Sequence, residues 1–94
     1  MIMKAALMIV TGKVQGVAFR YSAREKALDL NLMGWVRNRK DGSVEIYVQG
    51  DKGSVDQMEN WAHAGPPAAE VHKVITKPQP YEENMQGFIV RPTC

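Results

Sequence analysis

The feature that most restricts the fold is a seven-residue segment in which apolar and polar side chains alternate strictly. Residues 43–49 read Ser-Val-Glu-Ile-Tyr-Val-Gln, so Val44, Ile46 and Val48 fall on one side of an extended chain. This pattern is typical of a β-strand with one face on a hydrophobic core. The dipeptide at 41–42, Asp-Gly, favours a tight hairpin turn back to a strand at 34–38. The sequence therefore predicts a sheet built around this hairpin.

Two other segments show the apolar spacing of amphipathic helices. The first is predicted over residues 19–31, with an apolar face made of Phe19, Ala23, Ala27 and Leu30. The second is predicted to start at Ser54, because Ser54 and Gln57 have the spacing of a capping box. Gly65 and the two prolines after it are expected to end this helix. Its apolar stripe consists of Val55, Met58, Trp61 and Ala62.

The remaining strands are predicted at 4–11, 71–77 and 88–91. The first is short, rich in apolar residues and stopped by Gly12. The resulting order is β-α-β-β-α-β with a short C-terminal strand, which predicts an α+β, ferredoxin-like sandwich. Its sheet is expected to be mostly antiparallel, with both helices on one face. At 94 residues the chain has room for one hydrophobic core, so residues 1–94 are expected to form one domain.

Composition and charge narrow the class of ligand. The net charge is +2 and the sequence pI is about 8.8, whereas many nucleic-acid-binding domains exceed about 9. We therefore expect a small anionic ligand and no nucleic acid. The only cysteine, Cys94, cannot form an intramolecular disulfide, which favours a cytoplasmic location. No signal peptide or membrane association is expected, because the apolar run at 5–10 is short and no stretch approaches the roughly 20 residues of a spanning helix.

The junction between the first strand and the first helix is the candidate anion site. The first N–H groups of a helix lack intrahelical acceptors, and the helix dipole adds partial positive charge there. Gly16 allows the chain to curl around a ligand, and the guanidinium of Arg20 can bind two phosphate oxygens at once. Residues 12–20 lack the G-x-x-x-x-G-K-[ST] pattern of nucleotide-binding loops. The residues thus favour a phosphate group without a nucleotide.

Asn38 is linked to this junction by the expected topology. With a right-handed crossover, the strands at 4–11 and 34–38 run parallel, with the strand at 43–49 between them. Their C-terminal ends then share one edge of the sheet, which puts Asn38 beside the junction. The alternation of side chains along a strand turns the Asn38 amide away from the face of Arg37. An uncharged amide at this position can hold a water molecule in line with a bound phosphorus.

Two stretches of the sequence resemble the acylphosphatase family. Residues 12–20, Gly-Lys-Val-Gln-Gly-Val-Ala-Phe-Arg, are similar to its signature G-x-V-Q-G-V-x-F-R at every position. Residues 34–38, Gly-Trp-Val-Arg-Asn, resemble its second motif, G-x-V-x-N, and weaker similarity extends through 65–71 to Phe88. The resemblance implies hydrolysis of the carboxyl–phosphate bond of a small-molecule acyl phosphate, giving a carboxylate and inorganic phosphate. It also implies that no metal or other cofactor takes part.

The same resemblance implies a role for each candidate residue. Arg20 would bind the phosphoryl group, and Asn38 would orient the attacking water. Phosphoryl transfer depends mainly on positioning and charge stabilisation, so the lack of a strong protein base is chemically acceptable. We expect the protein to act as a monomer. The backbone N–H groups implied in phosphoryl binding are those of Gln15, Gly16, Val17, Ala18 and Phe19.

Two other functions are compatible with the sequence. One is an RNA-binding module, because RRM domains share this fold and stack bases on aromatic side chains of the open sheet face. Residues 43–49 lack the RRM motif, which leaves Tyr47 without aromatic companions. The other is a module that keeps the phosphate-binding turn without turnover. Arg39 and Lys40 could either steer anions toward the site or simply keep the hairpin solvated. The two histidines have no partner at the spacing of metal ligands or of a catalytic triad.

Overall fold

The alternating and helical patterns of the sequence fold into five strands and two helices in the computed structural model, which describes residues 1–94. In chain order these are β1 (Met3–Lys13), α1 (Phe19–Asp29), β2 (Met33–Asn38), β3 (Val44–Asp51), α2 (Lys52–Ala64), β4 (Glu70–Pro78) and β5 (Phe88–Val90). Neither helix has the length and hydropathy needed to cross a membrane. The element order is the one predicted from the sequence.

The strands form one sheet in the order β4-β1-β3-β2-β5. β3 pairs antiparallel with both β1 and β2, and β4 pairs antiparallel with β1. β5 adds to the outer edge of β2 in parallel. β1 and β2 therefore run parallel on either side of β3, so their C-terminal ends lie at the same edge of the sheet. The ferredoxin-like, mostly antiparallel arrangement is confirmed.

One face of the sheet carries the hydrophobic core. Val44, Ile46 and Val48 of β3 are fully buried, as their alternation predicts, and belong to one cluster with the apolar sides of both helices. Burial of each large apolar side chain stabilises the fold by about 1.5–3 kcal/mol. Both helices thus pack on the same face. Their buried residues are Phe19, Ala23 and Ala27 of α1, and Val55, Met58 and Ala62 of α2.

The C-terminal ends of β1 and α1 differ from the prediction, and a residue with positive φ lies at each of them. β1 continues to Lys13, since Gly12 forms a β-bulge against β4 and does not stop the strand. Gly12 has φ 124°, and a Cβ atom there would collide with the Glu70 carbonyl group, so only glycine fits. α1 ends at Asp29, short of residue 31, because Asn31 has φ 57°.

The predicted start of α2 at Ser54 is wrong. The helix begins at Lys52, and Asp51 is its N-cap, with Oδ2 accepting a hydrogen bond from the Gly53 N–H at 3.1 Å. The cap is therefore supplied by the last residue of β3, which leaves the Ser54 side chain inside the first turn. The predicted end is confirmed, because the Gly65 N–H donates to the Trp61 carbonyl at 2.8 Å.

On the sheet face opposite the helices, the segment between β4 and β5 bonds to side chains of β3. Gln49 is fully buried there, although it is polar. Its Nε2 donates to the Glu82 carbonyl at 2.7 Å, and its Oε1 accepts from the Glu82 N–H at 3.0 Å. The Tyr47 hydroxyl lies 2.9 Å from Gln49 Oε1 and 3.1 Å from the Pro80 carbonyl oxygen. Burial raises the pKa of Tyr47. Alternation alone pointed to one buried face of β3, whereas both faces are buried.

Gln49→Ala is expected to lower the free energy of unfolding by about 1–3 kcal/mol, because it removes the two hydrogen bonds between the buried Gln49 side chain and the Glu82 backbone. Urea denaturation followed by circular dichroism measures this change. Gln57→Ala, on the exposed side of α2, is the matched control and should stay within about 0.5 kcal/mol of the parent. Equal and small decreases in the free energy of unfolding of both variants would contradict a stabilising role for the bonds between Gln49 and Glu82.

Candidate active site

The chain turns from β1 into α1 through two residues with left-handed backbone conformations. Gly16 has φ 73°, and Ala18, the N-cap of α1, has φ 63° and ψ 24°. Such residues within a turn direct successive N–H groups toward one side and can form an anion-binding concavity. The left-handed conformation costs a non-glycine residue on the order of 1 kcal/mol, so Ala18 is locally strained. Only Gly16 was expected to supply this curvature.

The backbone N–H groups of this turn are unpaired within the protein. The first hydrogen bond of α1 runs from the Ser22 N–H to the Ala18 carbonyl at 3.1 Å. None of the N–H groups from Gln15 to Tyr21 donates a hydrogen bond to another group of the chain. A row of donors is therefore available at the positive end of the α1 dipole.

Arg20 and Asn38 line the same cavity, which has a volume of about 240 Å³. All predicted site residues except Gln15 and Val17 contribute to its lining. Tyr21 also lines it, although no pattern in the sequence singled that residue out. The strand topology thus brings together an arginine and an asparagine that are distant in sequence. The other lining residues are Val14, Gly16, Ala18 and Phe19.

The charges around the cavity favour an anion. Its lining contains no carboxylate and no imidazole, and Arg20 forms no salt bridge with another residue. Two larger depressions, of about 290 and 370 Å³, lie elsewhere on the surface, and both are lined in part by acidic side chains. The cavity lined by Arg20 is therefore the candidate anion site because of the charge of its lining, although it is not the largest depression. No group of three or more His, Cys, Asp or Glu side chains is arranged to hold a metal ion.

Asn38 ends β2 and pairs with Val44 of β3. Its side-chain oxygen, Oδ1, is buried and has no hydrogen-bond partner in the protein. Most buried polar side-chain atoms have such a partner. Asn38 itself lines the cavity, and no group of the protein satisfies this oxygen.

The backbone around Asn38 is held by the C-terminal residues. The Cys94 N–H donates to the Asn38 carbonyl at 3.2 Å, and the Lys40 N–H donates to the Cys94 carbonyl at 2.9 Å. The Arg91 N–H donates to the Val36 carbonyl at 2.8 Å. Residues 91–94 therefore extend the pairing of β5 along β2 as far as the candidate site. No pattern in the sequence indicated this contact, because it involves only backbone atoms.

The Gln15 side chain ties the turn to the β2–β3 hairpin. Its Nε2 donates to the Arg39 carbonyl at 2.8 Å and to the Ser43 carbonyl at 2.9 Å. This side chain therefore does not face water, and it links the two segments that carry the cavity. Val17 also anchors the turn, because it packs on the hydrophobic core. Gln15 belongs to the motif at residues 12–20, but the sequence does not show that its side chain bonds to the carbonyl groups of the hairpin.

Asp41 organises the hairpin that follows Asn38. Its Oδ1 accepts hydrogen bonds from the Ser43 hydroxyl at 2.6 Å and from the Ser43 N–H at 2.9 Å. These bonds, the hydroxyl first, lower the pKa of Asp41 from its ordinary value of 3.8. The Asp41 carboxylate is therefore ionised at neutral pH. Arg39 lies 3.8 Å from Asp41 Oδ2, which offsets part of its charge, whereas Lys40 is exposed and forms no salt bridge.

The fold and the cavity together define a class of protein: a small α+β sandwich that can hold an anionic group at its first strand-to-helix turn. The acylphosphatase family model matches residues 6–90. The acylphosphatase of Rubrobacter xylanophilus is 46% identical over 88 residues, covering 94% of this chain and 80% of the relative. That of Aeropyrum pernix is 47% identical over 87 residues, covering 92% and 86%. The chain therefore belongs to the acylphosphatase family and is a hydrolase of that type.

Solved structures agree with this family assignment. The structure of an acylphosphatase from Coxiella burnetii superposes with a TM-score of 0.90 at 39% identity, covering 95% of this chain and 93% of the other. The acylphosphatase from Bacillus subtilis gives a TM-score of 0.90 at 31% identity, covering 96% and 99%. The similarity thus extends over nearly the full length of both proteins, and includes the strands that carry the cavity.

Gln15→Ala is expected to lower the free energy of unfolding by about 1–2 kcal/mol, because two hydrogen bonds between the turn and the hairpin are lost. Gln15→Glu should cost more, since it places an acceptor against two carbonyl oxygens. Chemical denaturation measures both changes. Gln86→Ala removes an exposed glutamine without a side-chain hydrogen bond and is the control. If Gln15→Glu matched the stability of the parent, the link between turn and hairpin would be refuted.

Proposed function

We propose that this protein hydrolyses acyl phosphates to a carboxylate and inorganic phosphate without a metal or another cofactor. The observation that carries the proposal is the meeting of Arg20, Asn38 and a row of unpaired N–H groups at one cavity. Every proposed role is filled from one chain, so a monomer is sufficient. Residues 1–94 act in the proposal as a single domain.

The phosphoryl group binds at the turn from Gln15 to Phe19. The free N–H groups there donate to the phosphoryl oxygens, and the α1 dipole favours the negative charge. The Arg20 guanidinium adds two parallel donors and a full positive charge. Because Arg20 has no internal carboxylate partner, its charge is available to the substrate. These groups also stabilise the charge that develops on the phosphoryl oxygens during transfer.

Asn38 positions the attacking water. Its unpaired Oδ1 accepts a hydrogen bond from the water, which fixes the direction of the lone pair that attacks phosphorus. A neutral amide is not a base, so this role is purely positional. The new bond joins the water oxygen to phosphorus, and the bond from phosphorus to the bridging oxygen breaks with its electrons leaving on the carboxylate. The proton of the water is taken by the phosphate, so a protein base is unnecessary.

The two alternative functions differ from this proposal in testable ways. A binding module would retain phosphate affinity and lack turnover. An RNA-binding module would need free aromatic rings on the sheet face opposite the helices. Tyr47 is buried there, with its hydroxyl engaged with Gln49 and Pro80. Contrary to expectation Tyr47 has an aromatic companion, Trp35, but the guanidinium groups of Arg37 and Arg91 lie 4.7 and 4.9 Å from the centroid of that ring. The proposal therefore includes no nucleic-acid partner.

Hydrolysis of acetyl phosphate and benzoyl phosphate in excess chelator tests the proposed reaction. We expect turnover of both compounds at a rate that the chelator does not change, because every charge-stabilising group belongs to the chain. Loss of activity on chelation, restored by a divalent metal, would contradict the metal-free mechanism. Phosphate binding without any turnover would support the binding module.

The roles of Arg20 and Asn38 are expected to separate by mutation. Removal of one preorganised donor typically costs about 3–4 kcal/mol of transition-state stabilisation, so Arg20→Ala should lower kcat at least about a hundredfold. Inhibition by inorganic phosphate should weaken as well, because the same guanidinium binds the product. Steady-state kinetics with phosphate as inhibitor measure both effects. Arg24→Ala, one turn further along α1 and exposed, is the matched control.

Asn38→Ala is expected to abolish turnover while inhibition by phosphate stays nearly unchanged, because water placement and phosphoryl binding are separate tasks. Asn60→Ala, on the exposed side of α2, controls for the loss of an asparagine. A parallel loss of turnover and phosphate affinity in both Arg20→Ala and Asn38→Ala would contradict the assignment of separate roles.

A further inference from the structure

Tyr21 lines the cavity, but neither phosphoryl binding nor water placement uses its side chain. It directly follows Arg20 in the first turn of α1 and is 64% exposed. Helical side chains lean toward the N-terminus of their helix and cover the surface over the preceding turn. This general direction places the Tyr21 side chain on the side of the turn that carries the free N–H groups, in agreement with its position in the cavity lining.

The cavity differs between its inner wall and its opening. Val14 and Phe19 are each 1% exposed and form an apolar inner wall that is part of the hydrophobic core. Arg20 and Asn38 supply the polar side chains. Tyr21 is the aromatic residue of the lining that is open to solvent. It is thus free to contact a ligand through its ring.

We propose that Tyr21 is a specificity-determining residue that favours acyl phosphates with an aromatic acyl group over those with a small aliphatic one. This inference rests on the function proposed above. With the phosphoryl group bound at the turn, the acyl group lies beyond the bridging oxygen and extends toward the opening of the cavity. An aromatic acyl group then packs on the Tyr21 ring, whereas an acetyl group is too small to reach it.

The expected contribution is modest because the Tyr21 ring is largely solvent-exposed. Aromatic pairs are stabilised by offset or edge-to-face contact, and a partly exposed pair corresponds to a preference of roughly threefold to tenfold. The contact depends on the ring and not on the hydroxyl. Tyr21→Phe should therefore keep the preference, and Tyr21→Ala should lose it.

The test compares kcat/KM for benzoyl phosphate and acetyl phosphate in the parent, Tyr21→Phe and Tyr21→Ala. We expect Tyr21→Ala to lower the benzoyl-to-acetyl ratio roughly threefold to tenfold, while activity on acetyl phosphate and inhibition by inorganic phosphate stay at parent values. Leu28→Ala removes another exposed side chain of α1 and should leave the ratio unchanged. Inhibition by phenylphosphonate relative to methylphosphonate gives the same comparison without turnover.

An unchanged ratio in Tyr21→Ala would overturn the inference, as would an equal loss for both substrates. A weaker inhibition by inorganic phosphate in Tyr21→Ala would also overturn it, because it would assign Tyr21 to the phosphoryl end. These outcomes are distinct from failure of the proposed function, in which the parent protein itself hydrolyses neither compound.

Discussion

The candidate site depends on the register in which β3 pairs with its two neighbours. Val44 lies opposite Val10 of β1 and opposite Asn38 of β2, so the three residues form one row across the sheet. Adjacent strands are about 4.8 Å apart, which puts Asn38 roughly 10 Å from the β1 backbone at Val10. A register shift of one residue would turn Asn38 to the other face of the sheet. Because Val44 is buried in the core, the same packing that stabilises the fold also sets the position of Asn38.

The turn after β1 is stabilised by side chains, which leaves its backbone donors free. Val14 before the turn and Phe19 after it are both buried in the core, and the Phe19 ring lies 5.2 Å from that of Trp61. The Gln15 amide adds two hydrogen bonds to the hairpin. These anchors hold Ala18 in its left-handed conformation without any hydrogen bond from the N–H groups of the turn. The anchoring groups and the unpaired N–H groups are therefore different atoms of the same few residues.

Patterns local in sequence were sufficient to predict the elements of the fold and the meeting of Arg20 with Asn38. The strict alternation of β3 and the helical spacing in α1 each concern neighbouring residues, and the handedness of the crossover orders the strands. Contacts between distant residues were missed, because Gln15 and Gln49 bond to backbone groups 24 to 33 residues away. The start of α2 was missed for another reason. Asp51 and Ser54 can both cap a helix, and the helix starts after Asp51 because β3 ends at that residue.

The side chains on both faces of the sheet are largely engaged with one another, unlike the polar groups at the edge where the candidate site lies. On one face the helices cover the core, and on the other the Trp35 ring stacks on Tyr47 at 6.1 Å, with the guanidinium groups of Arg37 and Arg91 at 4.7 and 4.9 Å from its centroid. These aromatic and cationic groups are engaged with one another, and Tyr47 is buried with its hydroxyl bonded to the Pro80 carbonyl. Unpaired donors are instead concentrated where β1 ends and α1 begins. The same fold serves many functions, so the fold alone does not locate a functional site. In this chain the candidate site is placed at the edge of the sheet by polar groups without internal partners, namely the N–H groups of the turn and Asn38 Oδ1.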